Sequence, residues 1–273
     1  MDDNELSLTL GREELLLLMH LMGLQTIPGL EEEPLARLTE AQVEATMVAA
    51  EHSLLARGLI RHASETSEEV EVDAIAAALV SSGLRARASF MVARARPDEA
   101  ATTRYYHLLS HDPYLAVEHG SPEPGLHTFR AMKDRAQVLA RWESLLNLQD
   151  QPAPPAPGGG LTEEALLQAR QAAVEREEDA VVQEYLRNGG LRADTAASLA
   201  STLLHLLSES SVIRVDLERE GEVAGFALLE GRDGLWLLPM QQNTSTSIRV
   251  LPLSADDVRA WLRKTINIAI EGG

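Results

Sequence analysis

Two consecutive segments near the C-terminal end constrain the fold most, because neither has a polar side. In Val223 to Leu229 (VAGFALL) both alternating sets of residues are apolar, and Leu235 to Met240 (LWLLPM) has the same property. Successive side chains of a β-strand point to opposite faces of its sheet. A small antiparallel sheet normally leaves one face in water, so a sheet built from these segments must be covered on both faces.

The cover is either another part of the chain or a partner protein. Apolar surface left over after folding marks a protein interaction site, and buried aromatic side chains often dominate interface energies. We therefore predict that Phe226, Leu228, Trp236 and Leu238 contribute to a partner surface. Trp142 and Trp261 occur at helical spacing with aliphatic residues and are expected in the core.

The order of predicted elements occurs twice along the chain. At an offset of 121 positions, Arg104 to Met132 aligns without a gap with Gly225 to Leu253, so that YYHLLSHD corresponds to FALLEGRD. Each meander of short strands follows helices and precedes a helix. This pattern favours an internal duplication, although two unrelated segments with common turn spacings would also produce it.

The expected fold is α+β, with two similar halves related by a pseudo-two-fold axis and antiparallel sheets flanked by helices. Residues 1–148 form the predicted N-terminal half and residues 161–273 the C-terminal half. Between them, residues 149–160 (QDQPAPPAPGGG) have the composition of a Pro/Gly linker.

Helix-capping residues mark several predicted boundaries. Thr39 and Gln42 have the spacing of a capping box, and Gly58 is placed to end that helix. Thr162 is the predicted N-cap of one long charged helix that ends at the Gly189–Gly190 pair.

Charge and composition exclude several classes of protein. The chain has 24 Lys and Arg against 42 Asp and Glu, a net charge of −18, and no Cys. Disulfide scaffolds and Cys-ligated metal sites are therefore excluded, and nothing resembles the basic clusters that bind nucleic acid. No segment approaches the roughly 20 apolar residues of a membrane span, and no secretion signal is apparent at the start, so a cytoplasmic protein without membrane insertion is expected.

Histidines are the best candidates for a metal site. Four of the eight, His107, His111, His119 and His127, lie in one meander, where hairpin pairing can bring His119 near His127. The positions aligned with them in the second half contain no His, so a structural or surface role is favoured. We expect neither a metal nor another cofactor, and no catalytic constellation is apparent.

Several segments together resemble a known family. These segments are IPGL at Ile27–Leu30, LLARGLI at Leu54–Ile60, DGLWLLPM at Asp233–Met240, and the closing IRVLPLSADDVRAWL. They are similar to the EspG chaperones associated with ESX (type VII) secretion, and the resemblance runs over most of the chain. It implies a pseudo-two-fold architecture with a central antiparallel sheet and flanking helical bundles.

The resemblance also implies a function. It suggests a non-catalytic cytosolic chaperone or adaptor that holds the apolar tip of a secreted helical heterodimer of the PE–PPE kind. No binding residue is carried over by a motif. Two alternatives stay open: a regulatory or structural module that forms a homodimer through its apolar strands, and an enzyme with a His-based metal site.

Overall fold

The structure is a computed structural model that describes residues 6–30, 38–64, 69–109, 114–176, 178–215, 224–241 and 247–271. Helices and strands alternate along this part of the chain. In chain order they are β1 (Ser7–Gly11), α1 (Arg12–Leu21), α2 (Glu40–Ala56), β2 (Ile60–His62), β3 (Val70–Val72), α3 (Ala74–Val80), α4 (Ser82–Arg85), β4 (Ala88–Arg96), β5 (Glu99–Leu108), β6 (Ala116–Gly120), β7 (Leu126–Met132), α5 (Arg135–Leu146), β8 (Gly159–Thr162), α6 (Glu163–Val174), α7 (Asp179–Asn188), α8 (Ala193–Leu204), β9 (Ser208–Val215), β10 (Ala224–Gly231), β11 (Gly234–Gln241), β12 (Ser247–Leu253) and α9 (Ala255–Glu271).

The chain divides into two compact units, and neither unit is a continuous stretch of sequence. The first unit comprises Met1–Ser89 and Arg104–Gln137, and the second comprises Phe90–Thr103 and Val138–Gly273. These units do not coincide with the predicted halves 1–148 and 161–273. The division into these halves stays a prediction.

The first unit is an antiparallel sheet with helices on one face. Its strands follow the order β1, β7, β6, β5, with antiparallel pairing throughout. One face carries Leu10, Val117 and Phe129, which form a core with buried residues of α1, α2 and α3. A separate pair, β2 and β3, is also antiparallel.

The ends of α2 have the predicted caps. The backbone N–H of Gln42 donates to the Thr39 side chain, and the Gln42 side chain accepts from the Thr39 backbone N–H at 2.9 Å. At the other end Gly58 has a φ of 69°, a left-handed conformation that glycine adopts without strain.

The second unit is a sheet covered on both faces by its own helices. Its strands follow the order β4, β9, β10, β11, β12, β8, and the pairings of β10 with β9 and β11, and of β12 with β11 and β8, are antiparallel. Trp236 and Leu238 lie on one face, in a core with α6, α7 and α8. On the other face Phe226 contacts Trp261 of α9. The α+β class and the prediction that both faces of these strands are covered are confirmed.

The predicted single helix from Thr162 to Gly189 is wrong, because the chain turns back between α6 and α7. Arg176, in the turn, has a φ of 58°. The turn allows Ala169 of α6 and both Val182 and Leu186 of α7 to share one core, and each is 0% exposed. A straight helix would leave one of these apolar faces in water, so burial favours the turn.

Residues 149–160 are held by specific contacts within the second unit. The backbone N–H of Ala255 donates to Gln151 O at 3.1 Å, and the Thr195 hydroxyl donates to Pro157 O at 3.0 Å. Gly159 and Gly160 belong to β8, which pairs with β12. A segment with the composition of a flexible linker therefore forms an ordered connection, because its carbonyl groups have donors on several elements.

One pair of strands agrees in both bounds with the offset seen in the sequence. When β7 is shifted by 121 residues, its bounds coincide with those of β12. The duplication and its pseudo-two-fold axis stay predictions, since matching boundaries do not define a symmetry operation. Among the helices that the structure describes, none is long and apolar enough to cross a lipid bilayer.

Candidate functional site

The four side chains predicted to contact a partner are all buried in the second unit. Phe226, Leu228, Trp236 and Leu238 are 2%, 3%, 0% and 6% exposed, respectively. Trp236 and Leu238 lie under α6, α7 and α8. Their direct contact with a partner stays a prediction, and in this conformation the covering helices stand in the way.

Helix α9 presents apolar side chains to solvent. Trp261 is 37% exposed and Ile268 is 55% exposed, and their separation of seven positions places both on one side of the helix. The prediction that Trp261 is a core residue is therefore wrong. The exposed Arg263 and Lys264 lie between them in sequence and add positive charge to this helix. Lys264 lies on the same side as this pair, whereas Arg263, about 200° around the helix from Trp261, does not. We call Trp261, Ile268 and Lys264 the α9 surface.

Phe226 supports this surface from the sheet. The ring centroids of Phe226 and Trp261 are 6.0 Å apart at an interplanar angle of 73°, an edge-to-face arrangement. Such aromatic pairs contribute about 0.5–1.5 kcal/mol to stability, in addition to the contribution of the apolar area that they bury. A residue predicted from the sequence to touch a partner thus positions a more exposed tryptophan.

The start of α9 is fixed by a capping box and by ion pairs. Ser254 Oγ donates to Asp257 Oδ2 at 2.6 Å, and the Asp257 N–H donates back to Ser254 Oγ at 3.2 Å. Hydrogen bonds from the Ser254 hydroxyl and backbone N–H hold the pKa of Asp257 below its usual value. Arg259 donates to Asp150 at 2.9 Å and to Asp256 at 2.8 Å. These contacts tie α9 to the connection after α5.

A second exposed apolar pair lies on α6. Leu167 is 60% exposed and Val174 is 77% exposed, again seven residues apart on one side of the helix. The sequence carried a signal for both exposed pairs, namely apolar residues at i and i+7 outside the stripe that faces the core. The sequence analysis does not predict these exposed pairs, because the two-sided apolar strands are the stronger indication of apolar surface.

A buried carboxylate lies on the sheet face that carries Phe226. Glu230 is 8% exposed and accepts hydrogen bonds from Arg94 at 3.1 Å, Ser208 at 2.5 Å and Gln151 at 3.3 Å. Buried charges are tolerated only when they are paired and hydrogen-bonded in this way. This group joins β4, β9, β10 and the connection after α5, which is a structural role.

The histidines of the first unit are buried and hydrogen-bonded within the chain. His119 Nε2 lies 3.1 Å from His127 Nδ1, so the predicted approach of these two residues is confirmed. His107 Nδ1 lies 2.9 Å from the Ser89 hydroxyl. Burial is the main influence on both His107 and His119, and it lowers the pKa of His107 to about 4 and that of His119 to about 3.

These residues do not assemble a metal centre. Within the part of the chain that the structure describes, no group of three or more His, Asp or Glu side chains could hold a metal ion. The fourth predicted ligand, His111, lies outside the described residues.

Comparison with known proteins identifies the fold. No family model matches the chain, and no curated protein matches it in sequence. A solved structure of the Mycobacterium tuberculosis type VII secretion system chaperone EspG5, in complex with a PE25–PPE41 dimer, is similar over 98% of both chains, with a TM-score of 0.64 and 15% sequence identity. This chain therefore has the EspG-like fold that its sequence resembles.

Proposed function

We propose that this protein is a chaperone or adaptor of type VII secretion that binds a helical heterodimer of the PE–PPE kind and performs no catalysis. The observation that carries the proposal is the similarity over 98% of both chains to a chaperone whose solved structure contains a PE25–PPE41 dimer. We place the protein in the cytoplasm for the same reason.

The chemistry of the described polar groups supports binding rather than catalysis. His107 and His119 are each 1% exposed, and each is hydrogen-bonded within the chain. Neutral, inaccessible imidazoles are poorly suited to accept a proton from a substrate.

We assign the partner contact to the α9 surface. Trp261 supplies an aromatic side chain supported by Phe226, and aromatic anchors of this kind dominate many interfaces. Lys264 is an exposed cation on this surface, in a chain whose net charge is −18. The surface fits a helix that presents apolar and acidic side chains. In this proposal Leu228, Trp236 and Leu238 contribute through the stability of the sheet.

The test is binding of purified PE–PPE heterodimers by the wild-type protein and by surface variants. We expect a stable complex of one chaperone with one heterodimer, measured by light scattering and calorimetry. The variant Trp261→Ala with Ile268→Ser should weaken binding at least about tenfold, as expected when a central aromatic anchor is lost. The matched control is Leu167→Ala with Val174→Ser, which removes an exposed pair of similar size from α6 and should leave binding unchanged.

Other outcomes would decide against parts of the proposal. If every PE–PPE heterodimer tested fails to bind, or if the protein alone is a tight homodimer that covers α9, the chaperone assignment is wrong and the homodimeric module is favoured. If the α6 variant loses binding while the α9 variant retains it, the partner is correct and the surface is wrong.

A further inference from the structure

A buried chain of hydrogen bonds connects a loop of the first unit to its sheet. The loop is Ile27–Leu30, which follows α1, and its Pro28 carbonyl lies 2.9 Å from Nδ1 of His119 on β6. His119 Nε2 in turn lies 3.1 Å from His127 Nδ1 on β7. His119 and His127 are 1% and 5% exposed.

The direction of these hydrogen bonds follows from the carbonyl. A carbonyl oxygen only accepts, so His119 Nδ1 must carry a proton and donate to Pro28 O. The neutral ring then has a lone pair on Nε2, which accepts from the Nδ1–H of His127. The closed loop thus selects one tautomer of each ring.

The loop is packed closely against the same rings. Gly29 has a φ of 87°, and a Cβ atom there would lie 2.5 Å from Tyr105 and 3.4 Å from His119. On its other side the His119 ring stacks on Phe129, with centroids 4.4 Å apart. An imidazolium ring in this position would be surrounded by apolar and aromatic groups.

The neighbouring charges also oppose protonation. The titratable and charged groups that act on His119 are His127 on β7 and both His107 and Arg104 on β5, and each disfavours a positive charge. Only the hydrogen bond to Pro28 acts in the opposite direction. Tyr105, also on β5, packs beside the ring.

We propose that His119, held between the Pro28 carbonyl and His127, forms an acid-sensitive latch, in which the neutral His119 ring holds the Ile27–Leu30 loop closed and its protonation favours release of the loop. When the loop opens, water reaches His119 and the ring takes up a proton as an ordinary histidine does. A second proton on the closed ring would occupy the lone pair that accepts from His127. Opening is therefore linked to proton uptake.

The linkage has a definite sign and size. Burial lowers the pKa of His119 to about 3 in the closed state, against an ordinary value of about 6.5. The open state therefore binds more protons as the pH falls below about 6.5. From pH 7.5 to pH 5.5 the open fraction should rise by up to about tenfold through His119 alone, the upper value applying if opening restores its ordinary pKa.

The experiment is hydrogen exchange of the full-length protein, followed by mass spectrometry at pH 7.5 and 5.5 and corrected for the intrinsic pH dependence of exchange. Protection of the peptide that contains Leu30, whose N–H donates to Ile27 O at 3.3 Å, should fall by up to about tenfold at pH 5.5. This peptide should exchange faster than β1 at both pH values, because exchange at the rate of β1 would report larger unfolding, which also exposes His107. The variant His119→Asn retains an N–H near the position of Nδ1 and cannot titrate, so its pH effect should be smaller.

Controls make the result decisive. His20→Asn removes an exposed histidine of the same unit and should behave as the wild type. Equal protection of the loop at both pH values, or an undiminished pH effect in His119→Asn, would overturn the latch. Should His119→Asn fail to fold, the wild-type protein still gives a test, because nitrogen NMR at pH 7.5 must find the proton of His119 on Nδ1, and a proton on Nε2 would refute the proposal.

Discussion

The burial of Trp236 makes it a packing residue of the core in this structure. It is 0% exposed, and its indole N–H has no hydrogen-bond partner among the described residues. Its contribution therefore comes from packing between β11 and the helices α6 to α8, rather than from a polar contact. The sequence predicts an aromatic residue on a strand, but which helices or which partner cover that residue depends on the tertiary fold.

We expect Trp236→Ala to lower the free energy of unfolding by about 3–5 kcal/mol through cavity formation. Trp236→Phe should cost much less, because no hydrogen bond of the indole N–H is lost. Trp261→Ala is the control on the exposed side, and its effect on stability should be clearly smaller, because Trp261 is 37% exposed whereas Trp236 is 0% exposed. Urea denaturation measures all three, and equal losses for Trp236→Ala and Trp261→Ala would contradict the assignment.

The buried histidines make stability depend on pH. The folded-state pKa is about 4 for His107 and about 3 for His119, both below the ordinary value near 6.5. Between these values the unfolded chain binds more protons than the folded chain. Stability is therefore fully present above about pH 6.5 and falls as the pH decreases toward about 4.

Urea denaturation at a series of pH values checks this dependence. We expect the free energy of unfolding to fall on acidification from pH 7 to 5, and the decrease to be smaller in His107→Gln, which removes one of the groups. Exposed His52→Gln should retain the full decrease. A stability independent of pH over this range would contradict burial of neutral histidines.

At the scale of elements, the outermost strands of each sheet are protected by neighbouring side chains and backbone. Beside β1, Arg57 donates to Thr9 O at 2.6 Å, and Glu14 accepts from the Gly11 N–H at 2.8 Å. Burial would raise the pKa of Glu14, but hydrogen bonds from Ser53, Gly11 and Arg57 together lower it. Such protection limits pairing with strands of other molecules.

At β8 the protection comes from a helix end. The backbone N–H of Thr162 donates to Gly189 O at 3.1 Å. Gly189 is packed so closely that a Cβ atom there would lie 2.4 Å from the Cβ of Ala165. The glycine pair predicted to end a helix therefore also closes one side of a sheet.

The turn between α6 and α7 offers a test at the same scale. Arg176 has a φ of 58°, a conformation that costs a residue with a side chain about 1 kcal/mol relative to glycine. We expect Arg176→Gly to raise the free energy of unfolding by about 0.5–1 kcal/mol. Arg176→Ala retains the β-carbon and should bring no such gain. A loss of stability in Arg176→Gly, measured by thermal denaturation, would show that the arginine side chain matters more than its backbone.

At the scale of the whole molecule, the two compact units make a prediction about fragments. The second unit includes Phe90–Thr103 and α5 from Val138 onward, and Phe90 contacts Trp142 with ring centroids 5.3 Å apart. A fragment of residues 161–273 lacks both the segment Phe90–Thr103 and helix α5. We therefore expect this fragment to remain largely unfolded, because the sheet would lose β4 and one sheet face would lose the part of its cover that α5 provides.

Circular dichroism and amide NMR of fragment 161–273 provide the measurement. Addition of fragment 1–160 should restore dispersed spectra, which controls for damage caused by truncation. Cooperative folding of fragment 161–273 alone would instead support the contiguous halves predicted from the sequence.

Local signals predicted much of the architecture. The capping box at Thr39, the positive φ of Gly58 and the approach of His119 to His127 all follow from short-range patterns and hairpin pairing. The strand β1 was missed, because five residues give too short an alternation to distinguish from a loop. β8 was missed because Gly159 and Gly160 have low strand propensity, and pairing with β12 compensates for it.

The sequence by itself determined that the strands β10 and β11 have two apolar faces and that both must be covered, since alternation alone assigns side chains to faces. Only the tertiary structure decided what covers them. Phe226 and Trp236 are buried by the chain's own helices, while Trp261 and Ile268 remain exposed on α9. The physical reason is that the hydrophobic effect favours burial of apolar surface but is not directional. Which element covers a given strand face therefore depends on which elements the folded chain brings together.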